Sequence, residues 1–416
     1  MREVRKLQVE ELRDFVEIQS NAYPGARTIT EEDKRKLEAR MIKKHTEEPT
    51  CHYHGLFQEE QLVGGMCFYD FVMNMYGKRI QVGGVGSLAV DLLHKKEKAA
   101  KDMIQYFLKY YKHKGTSMVA LYPFRPDFYK QMGFGFGTKM SQYRIKPGNL
   151  PKGSKDQIVF LGQEDRETLR RCYHRVVDRI HGFMEKSDIE LENLFGTTEY
   201  KIIGYKKDEE ILGYMVFSFK ACRADQFLMN DIYIKEMIYE NREVLKSLLA
   251  FLQSQEDQIH QIVLNTQDEC FHHLLMDPRN GTDNIIPHVY HESNTQGVGV
   301  MYRIVDMSGI FSELVNHNFG NQNCVVKLSI NDSFFSENNK PVLVSFQNGM
   351  AEVINENTYD VEIKMDISDF SSMIMGVISF KSLYEYGLAE ISNVQFLDIV
   401  NRVFLTDEKP KCITGF

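Results

Sequence analysis

The chain has 416 residues, too many for one compact hydrophobic core, and that length predicts two or three domains. A hydrophobic share of 43% with 26% charged residues is the balance of a globular protein, not a disordered one. No apolar run reaches the roughly 18 residues that cross a bilayer, and a net charge of -8 argues against nucleic acid as the main partner while suiting a cationic substrate.

The opening MREVRKLQVEELRDF is charged and has no apolar leader core, so a cytoplasmic protein is expected. Cysteines at 51, 67, 172, 222, 270, 324 and 412 form no CxxC pair and read as reduced thiols. In chain order, Leu12, Phe15, Val16 and Ile18 predict an amphipathic helix over 9–23. Thr30 with Asp33 reads as the capping-box start of a second helix, reaching about residue 44. The period then shortens. Segments 53–58 and 62–75, joined by a polar turn at 59–61, predict a hairpin, and 79–90 a further strand with glycines at 83, 84 and 86. A helix over 96–113 gathers Ala99, Ala100, Met103, Ile104, Phe107, Leu108 and Tyr111 on one face. A short strand over 118–122 and a short helix over 127–132 precede Gly133.

The same order recurs: a helix over 165–184, strands over 200–205, 211–219 and 227–237, a helix over 241–253, a strand over 262–264 and a short helix near Phe271. This predicts a duplicated fold. From about Val298, strands near 300–305, 324–330, 342–346, 351–355 and 361–365 alternate with helices near 308–315, 368–375, 380–386 and 394–404. That pattern is an α+β domain with one sheet covered by helices. The expected fold class is mixed α/β, with domains 1–148, 149–296 and 297–416.

The chemistry concentrates in residues 84–104, GVGSLAVDLLHKKEKAAKDMI. A pyrophosphate needs several backbone N–H donors aimed at one place, and a helix N-terminus supplies them together with its dipole. His94, Lys95, Lys96 and Lys98 surround that terminus, although a solvated basic turn has the same composition. The matching stretch of the second repeat, Ile238-Tyr239-Glu240-Asn241-Arg242-Glu243, is acidic, so only the first repeat is expected to hold a phosphate. His52, His54, His272 and His273 lack carboxylate or thiol partners at ligand spacing, and no metal site is expected. Cys51 and Cys67 read as inert core thiols, and the Met and Phe residues of 368–380 as core rather than a lipid channel.

Residues 84–104, followed by Phe128-Tyr129-Lys130-Gln131-Met132-Gly133-Phe134, resemble motifs A and B of the GNAT acetyltransferases. With the opening Gly83-Gly84-Val85-Gly86-Ser87-Leu88-Ala89-Val90, the doubled GNAT-like order and a C-terminal part similar to sterol carrier proteins, the whole chain resembles the bacterial enhanced intracellular survival (Eis) family. The resemblance implies tandem GNAT-like domains followed by a sterol-carrier-like α+β domain, in a cytoplasmic homo-oligomer. It implies acetyl-CoA as co-substrate and N-acetylation of a small-molecule amine of the aminoglycoside type, with a protein lysine as the other acceptor. It places CoA on the backbone of Leu88, Ala89 and Val90. Its R-x-x-G-x-G/A loop falls on Lys95, Lys96, Glu97, Lys98, Ala99 and Ala100, followed by Lys101, with Phe124 and Arg125 as further cofactor contacts. The chain departs from the pattern: lysine stands for arginine, Lys98 for the glycine, and Leu92 for a proline. A side chain at the glycine position crowds the backbone's approach to the phosphates. The added lysines offset this as point charges rather than as a fitted fork.

Direct transfer to an amine needs a group that takes the amine's proton, a donor where the thioester oxygen gains charge, and a proton for the leaving thiolate. The resemblance assigns the first role to the α-carboxylate of Phe416 and the last to Tyr129, with a backbone N–H near residues 88–90 as the donor. Taken as residues alone, Tyr129 also reads as an aromatic packed between Phe128 and Phe134, and the tail as a segment that merely closes the C-terminal domain. The competing expectation is a non-catalytic module that has lost CoA and binds an apolar ligand or a partner.

Overall fold

The computed structural model describes residues 2–26, 28–223 and 226–416. The first sheet runs in the order Arg2–Lys6, Cys51–Gln58, Gln61–Met75, Lys78–Val90, Met118–Leu121, Met301–Ile304, Gly135–Phe136. Helix Ala99–His113 covers it, burying Met103, Ile104, Phe107, Leu108 and Tyr111 along one stripe. The second sheet runs Asn294–Gly297, Met140–Ile145, Ile259–Thr266, Gln226–Tyr239, Glu210–Arg223, Lys201–Lys207, Ile158–Phe160. Helix Arg242–Gln253 packs there through Val244, Leu248, Leu249 and Leu252. The third sheet holds Met350–Ile354, Val342–Gln347, Cys324–Asn331, Val361–Asp366 and Ala389–Ile391. Among the described residues no helix is long and apolar enough to cross a membrane.

The sheets do not follow the linear division at 148 and 296. Met301–Ile304 lies in the first sheet, with Met301 opposite both Leu121 and Phe136. Met140–Ile145 lies in the second, between Ile259–Thr266 and Asn294–Gly297. The two duplicated domains have thus exchanged strands. Each exchanged strand is largely or wholly buried: every residue of Met301–Ile304 is, as are Ser141, Tyr143 and Ile145.

The helix expected over 165–184 stops at Val177. Residues 182–185 instead pair with the first sheet: Gly182 N–H donates to Asn74 O (2.7 Å), Asn74 N–H to Phe183 O (2.9 Å) and Glu185 N–H to Val72 O (2.9 Å). Gly182 makes the turn at φ +88°. A helix then restarts over Asp188–Gly196, with Ser187 and Glu190 as a capping box. Arg2–Lys6 was not foreseen; it forms an edge strand paired with Cys51–Gln58.

The third domain is fastened to the first by a pair with no solvent exposure. Arg303 donates to both oxygens of Asp332 (2.8 and 2.6 Å) and to Met132 O (2.6 Å). Asp332 also accepts from Phe335 N–H (2.8 Å) and Asn338 Nδ2 (3.2 Å). Gly133 is required beside it: φ is +81°, and a Cβ there would lie 1.4 Å from the Arg303 guanidinium. A second junction stacks Tyr76 between His181 (4.1 Å) and His317 (4.3 Å), one ring from each domain.

Replacing Asp332 by Ala strands a buried guanidinium and is expected to cost about 3–5 kcal/mol. The double replacement Arg303→Met/Asp332→Leu is expected to cost far less; urea-unfolding midpoints compare them. His181 sets an acid limit. Burial holds its imidazole down at about 4, against an ordinary 6.5. In the fold Nδ1 faces Tyr76 N–H (3.4 Å) and Nε2 faces Met375 O (3.1 Å), a neutral-ring arrangement. The unfolded chain therefore takes up this proton first. The stability is intact above pH 6.5 and declines as pH falls toward 4, by about 3 kcal/mol for this group. Thermal midpoints across that range should fall less steeply in His181→Gln.

Candidate active site

The site grows from one irregular strand. Lys78–Val90 pairs with Gln61–Met75, but the register slips between Gly65 and Cys67, so that Ser87 and Leu88 both stand against Met66. This is a β-bulge, with Ser87 at φ +52°. On its other edge the strand pairs in parallel with Met118–Leu121 only over Val82–Val85. Beyond that the two strands part, leaving an opening along residues 88–90.

A cavity of about 570 Å³ fills this opening. Its lining includes Leu88, Ala89 and Val90 from the strand, Lys95, Lys96, Lys98, Ala99, Ala100 and Lys101 from the loop and helix start, and Phe124 and Arg125. Every cofactor residue expected from the sequence lies there except Glu97. Glu97 faces the first strand: its carboxylate pairs with Arg2 (2.9 Å), and its carbonyl accepts from the same guanidinium (2.5 Å). It holds the loop down rather than facing the cavity. Arg125 is engaged by Asp127 (Nε to Oδ1, 3.1 Å).

Lys96 and Lys98 take φ +68° and +69°, so the loop keeps a backbone shape that glycine favours although lysine occupies it. Lys98 is the N-cap of helix Ala99–His113 and makes no side-chain cap. The first N–H groups of that helix have no acceptor within it and face a lysine-rich loop, which fits a phosphate. The second domain differs. Asn241 Oδ1 accepts from Glu243 N–H (3.0 Å) and Val244 N–H (3.1 Å), so that helix start is filled by its own side chain.

Tyr129, on helix Pro126–Lys130, is 3% exposed. Its ring packs edge-on against Phe124 (5.6 Å), Phe128 (5.3 Å) and Phe134 (6.0 Å). Burial, reinforced by the neighbouring Tyr23 hydroxyl, pushes its phenol well above the ordinary value and keeps it protonated. Tyr23 was missed in the sequence. Its hydroxyl donates to Leu88 O at the bulge and lines the same cavity; its place at the end of an amphipathic helix carried no signal of this.

The tail reaches the strand through the seam between domains. Lys411 N–H donates to His181 O (2.8 Å) and Cys412 N–H to Gln267 Oε1 (2.5 Å). Cys412 and Thr414 are buried. The Phe416 ring lies among Phe71 (4.8 Å), Tyr122 (5.2 Å) and Tyr69 (5.8 Å). Its carboxyl carbon would stand 2.8 Å from a Cβ at Gly86, so only glycine admits it.

A second cavity, of about 270 Å³, opens beside Phe416. Five carboxylate side chains, Glu48, Asp70, Glu185, Asp188 and Glu190, line it against three cations, Lys44, Arg170 and Lys186. Two of the cations are already paired, Arg170 with Asp188 and Lys186 with the buried Glu236 (2.9 Å), and of the other carboxylates Glu185 pairs with Arg79 and Asp70 with Lys114. For Asp70, burial opposes ionisation, but hydrogen bonds from His52, Lys114 and Tyr111 outweigh it and hold the carboxyl down at about 2. The wall from Glu185 to Glu190 comes from the second domain. Its one visible sequence signal is the Ser187-to-Glu190 capping-box spacing.

Residues 3–137 and 176–304 each match an acetyltransferase (GNAT) domain, and residues 314–413 match a sterol carrier protein domain. No curated protein matches the chain. Among solved structures, a GCN5-related N-acetyltransferase from Anabaena variabilis superposes with a TM-score of 0.83 at 15% identity, over 100% of both chains. A conserved protein of unknown function from Enterococcus faecalis, a probable N-acyltransferase, gives 0.79 at 18%, also over 100% of both chains. Eis1 from Mycobacterium abscessus gives 0.78 at 17%, again over 100% of both. At these identities the likeness is one of fold.

If the positive φ at Lys98 is imposed by the loop, Lys98→Gly relieves it. The variant is expected to gain up to about 1 kcal/mol in urea unfolding, whereas Lys101→Gly, inside the helix, loses about as much.

Proposed function

From a tandem GNAT acetyltransferase with a sterol carrier protein domain, Eis-like in fold over its whole length, we propose that the first domain transfers an acetyl group from acetyl-CoA to a small cationic amine. One observation carries this reading. The lysine-rich cavity is lined by Leu88, Ala89 and Val90, and Phe416, which lines the acidic cavity, sets its carboxyl against Gly86, two residues earlier on the same strand.

The residues fit the co-substrate. The helix start at Ala99, the backbone of Leu88–Val90 and Lys95, Lys96 and Lys98 would hold acetyl-CoA, which supplies the acetyl group as a thioester. Lys98 argues less against this than its identity suggests, because its backbone keeps the conformation a glycine would take. The acidic cavity concentrates and orients an ammonium. The Phe416 carboxylate accepts a proton from that ammonium, directly or through water, which leaves a neutral carboxyl group and a neutral, nucleophilic amine. A backbone N–H near residues 88–90, beside the bulge, would donate to the carbonyl oxygen as it gains charge. Tyr129, kept protonated by burial, donates from its hydroxyl toward the departing sulfur. Its elevated pKa makes full transfer costly, so its contribution is a hydrogen bond completed as charge builds on the sulfur.

The test is thiol release from acetyl-CoA with a panel of polyamine acceptors. Tyr129→Phe is expected to lower kcat about 100-fold or more with little change in the KM for acetyl-CoA. One glycine appended after Phe416 moves the carboxylate but keeps the ring, and should lower kcat comparably. Unchanged turnover in the extended chain would remove Phe416 from the mechanism. Absence of both turnover and acetyl-CoA binding in the unaltered protein would return the chain to the binding-module reading.

A further inference from the structure

We propose that Cys222, Asp231 and His260 form a binding site for a zinc-type divalent cation on the second sheet, remote in sequence from the acyl-transfer residues. The ligand atoms are Cys222 Sγ, Asp231 Oδ1 and His260 Nδ1, with a fourth position open to solvent.

The three residues come from three adjacent strands. Lys220 is opposite Asp231 in the antiparallel pair, and the register breaks between Ala221 and Arg223, so Cys222 stands at that irregularity with its Sγ against Asp231. On the other side the parallel register slips by one between Asn230 and Asp231, which makes His260 an extra residue. That bulge sets both His260 and Gln261 against the one carboxylate. Cys222 Sγ lies 3.1 Å and His260 Nδ1 3.2 Å from the same oxygen, Oδ1. Gln261 Nε2 holds the other, Oδ2, at 2.7 Å, as an outer-shell partner fixes a ligating carboxylate. The Lys220 ammonium, opposite Asp231 in the register, lies over the Tyr233 ring at 4.0 Å.

The donor atoms all fall within 4.8 Å of one another. Ligands bound tetrahedrally at 2.0–2.3 Å sit roughly 3.3–3.6 Å apart, so the two spacings from Oδ1 are within a few tenths of an ångström of what the ion needs. A sulfur, nitrogen and oxygen set selects zinc or cobalt over magnesium or calcium. On binding, the Cys222 S–H bond is broken, its proton leaves to solvent, and a sulfur–metal bond forms. Thiolate and carboxylate then balance the divalent charge. Asp231 is nearly buried, while the His260 side chain is 59% exposed and leaves an entry path.

The test uses the full chain, stripped by chelation and titrated with cobalt(II). The expected result is one equivalent bound, with a thiolate-to-cobalt charge-transfer absorption that zinc(II) displaces. Cys222→Ser should abolish that absorption. His260→Ala, which alters an exposed side chain and leaves the core intact, should weaken cobalt affinity at least tenfold. Cys270→Ser, which removes an exposed cysteine elsewhere, should change neither. A thiolate absorption that survives Cys222→Ser, an affinity unmoved by His260→Ala, or no binding up to millimolar cobalt would each overturn the proposal.

Discussion

The Arg303–Asp332 pair is the constraint to which the other parts of the site answer. Its strand completes the first sheet, its carboxylate partner belongs to the third domain, and a second arm of the guanidinium caps the backbone just beyond the helix that carries Tyr129. A buried ion pair is a poor source of net stability, because desolvation consumes most of the attraction. What it supplies is specificity of arrangement. An unpaired guanidinium cannot be left in that position, so the third domain has one place to sit, and the tail that leaves it is delivered to one strand.

One of the two cavities follows from that placement and the other does not. The bulge at Ser87 and Leu88 and the parting of the strands after Val85 open the first domain on its own. The acidic room beside Phe416 needs all three domains. The second contributes Glu185 to Glu190, the first contributes Asp70 and Tyr69, and the third sends its tail between them. The second domain has the same fold as the first, but its helix start is closed by Asn241. It serves here as a wall, and the N–H groups of Glu243 and Val244 at its helix start are taken by Asn241.

Much of this was legible in the sequence because it is local. Hydrophobic period placed most helices and strands, the Thr30–Asp33 spacing marked a cap that the structure retains, and residues 88–90 and 94–101 gathered around one cavity apart from Glu97. What escaped was non-local. No periodicity tells Met301–Ile304 which sheet it will join, since a buried strand reads the same in either. Glu97 turned aside because Arg2 stands on an edge strand that the charged opening concealed. The segment after Val177 has helical composition, and pairing with Val72 and Asn74 overrode it. Cys222, Asp231 and His260 have no ligand spacing along the chain; only register brings them together.

The strand exchange bears on how the chain is made. As residues emerge in order, the first sheet lacks an interior strand until residue 304 is available, although every other strand of that sheet precedes residue 137. A nascent first domain therefore presents two unpaired strand edges, Met118–Leu121 and Gly135–Phe136, throughout synthesis of the second. Such edges invite pairing with the wrong partner. The second sheet is spared this, because Met140–Ile145 is already made when its neighbours arrive. Maturation of the site is thus a late event, governed by the order of translation rather than by the order of the domains.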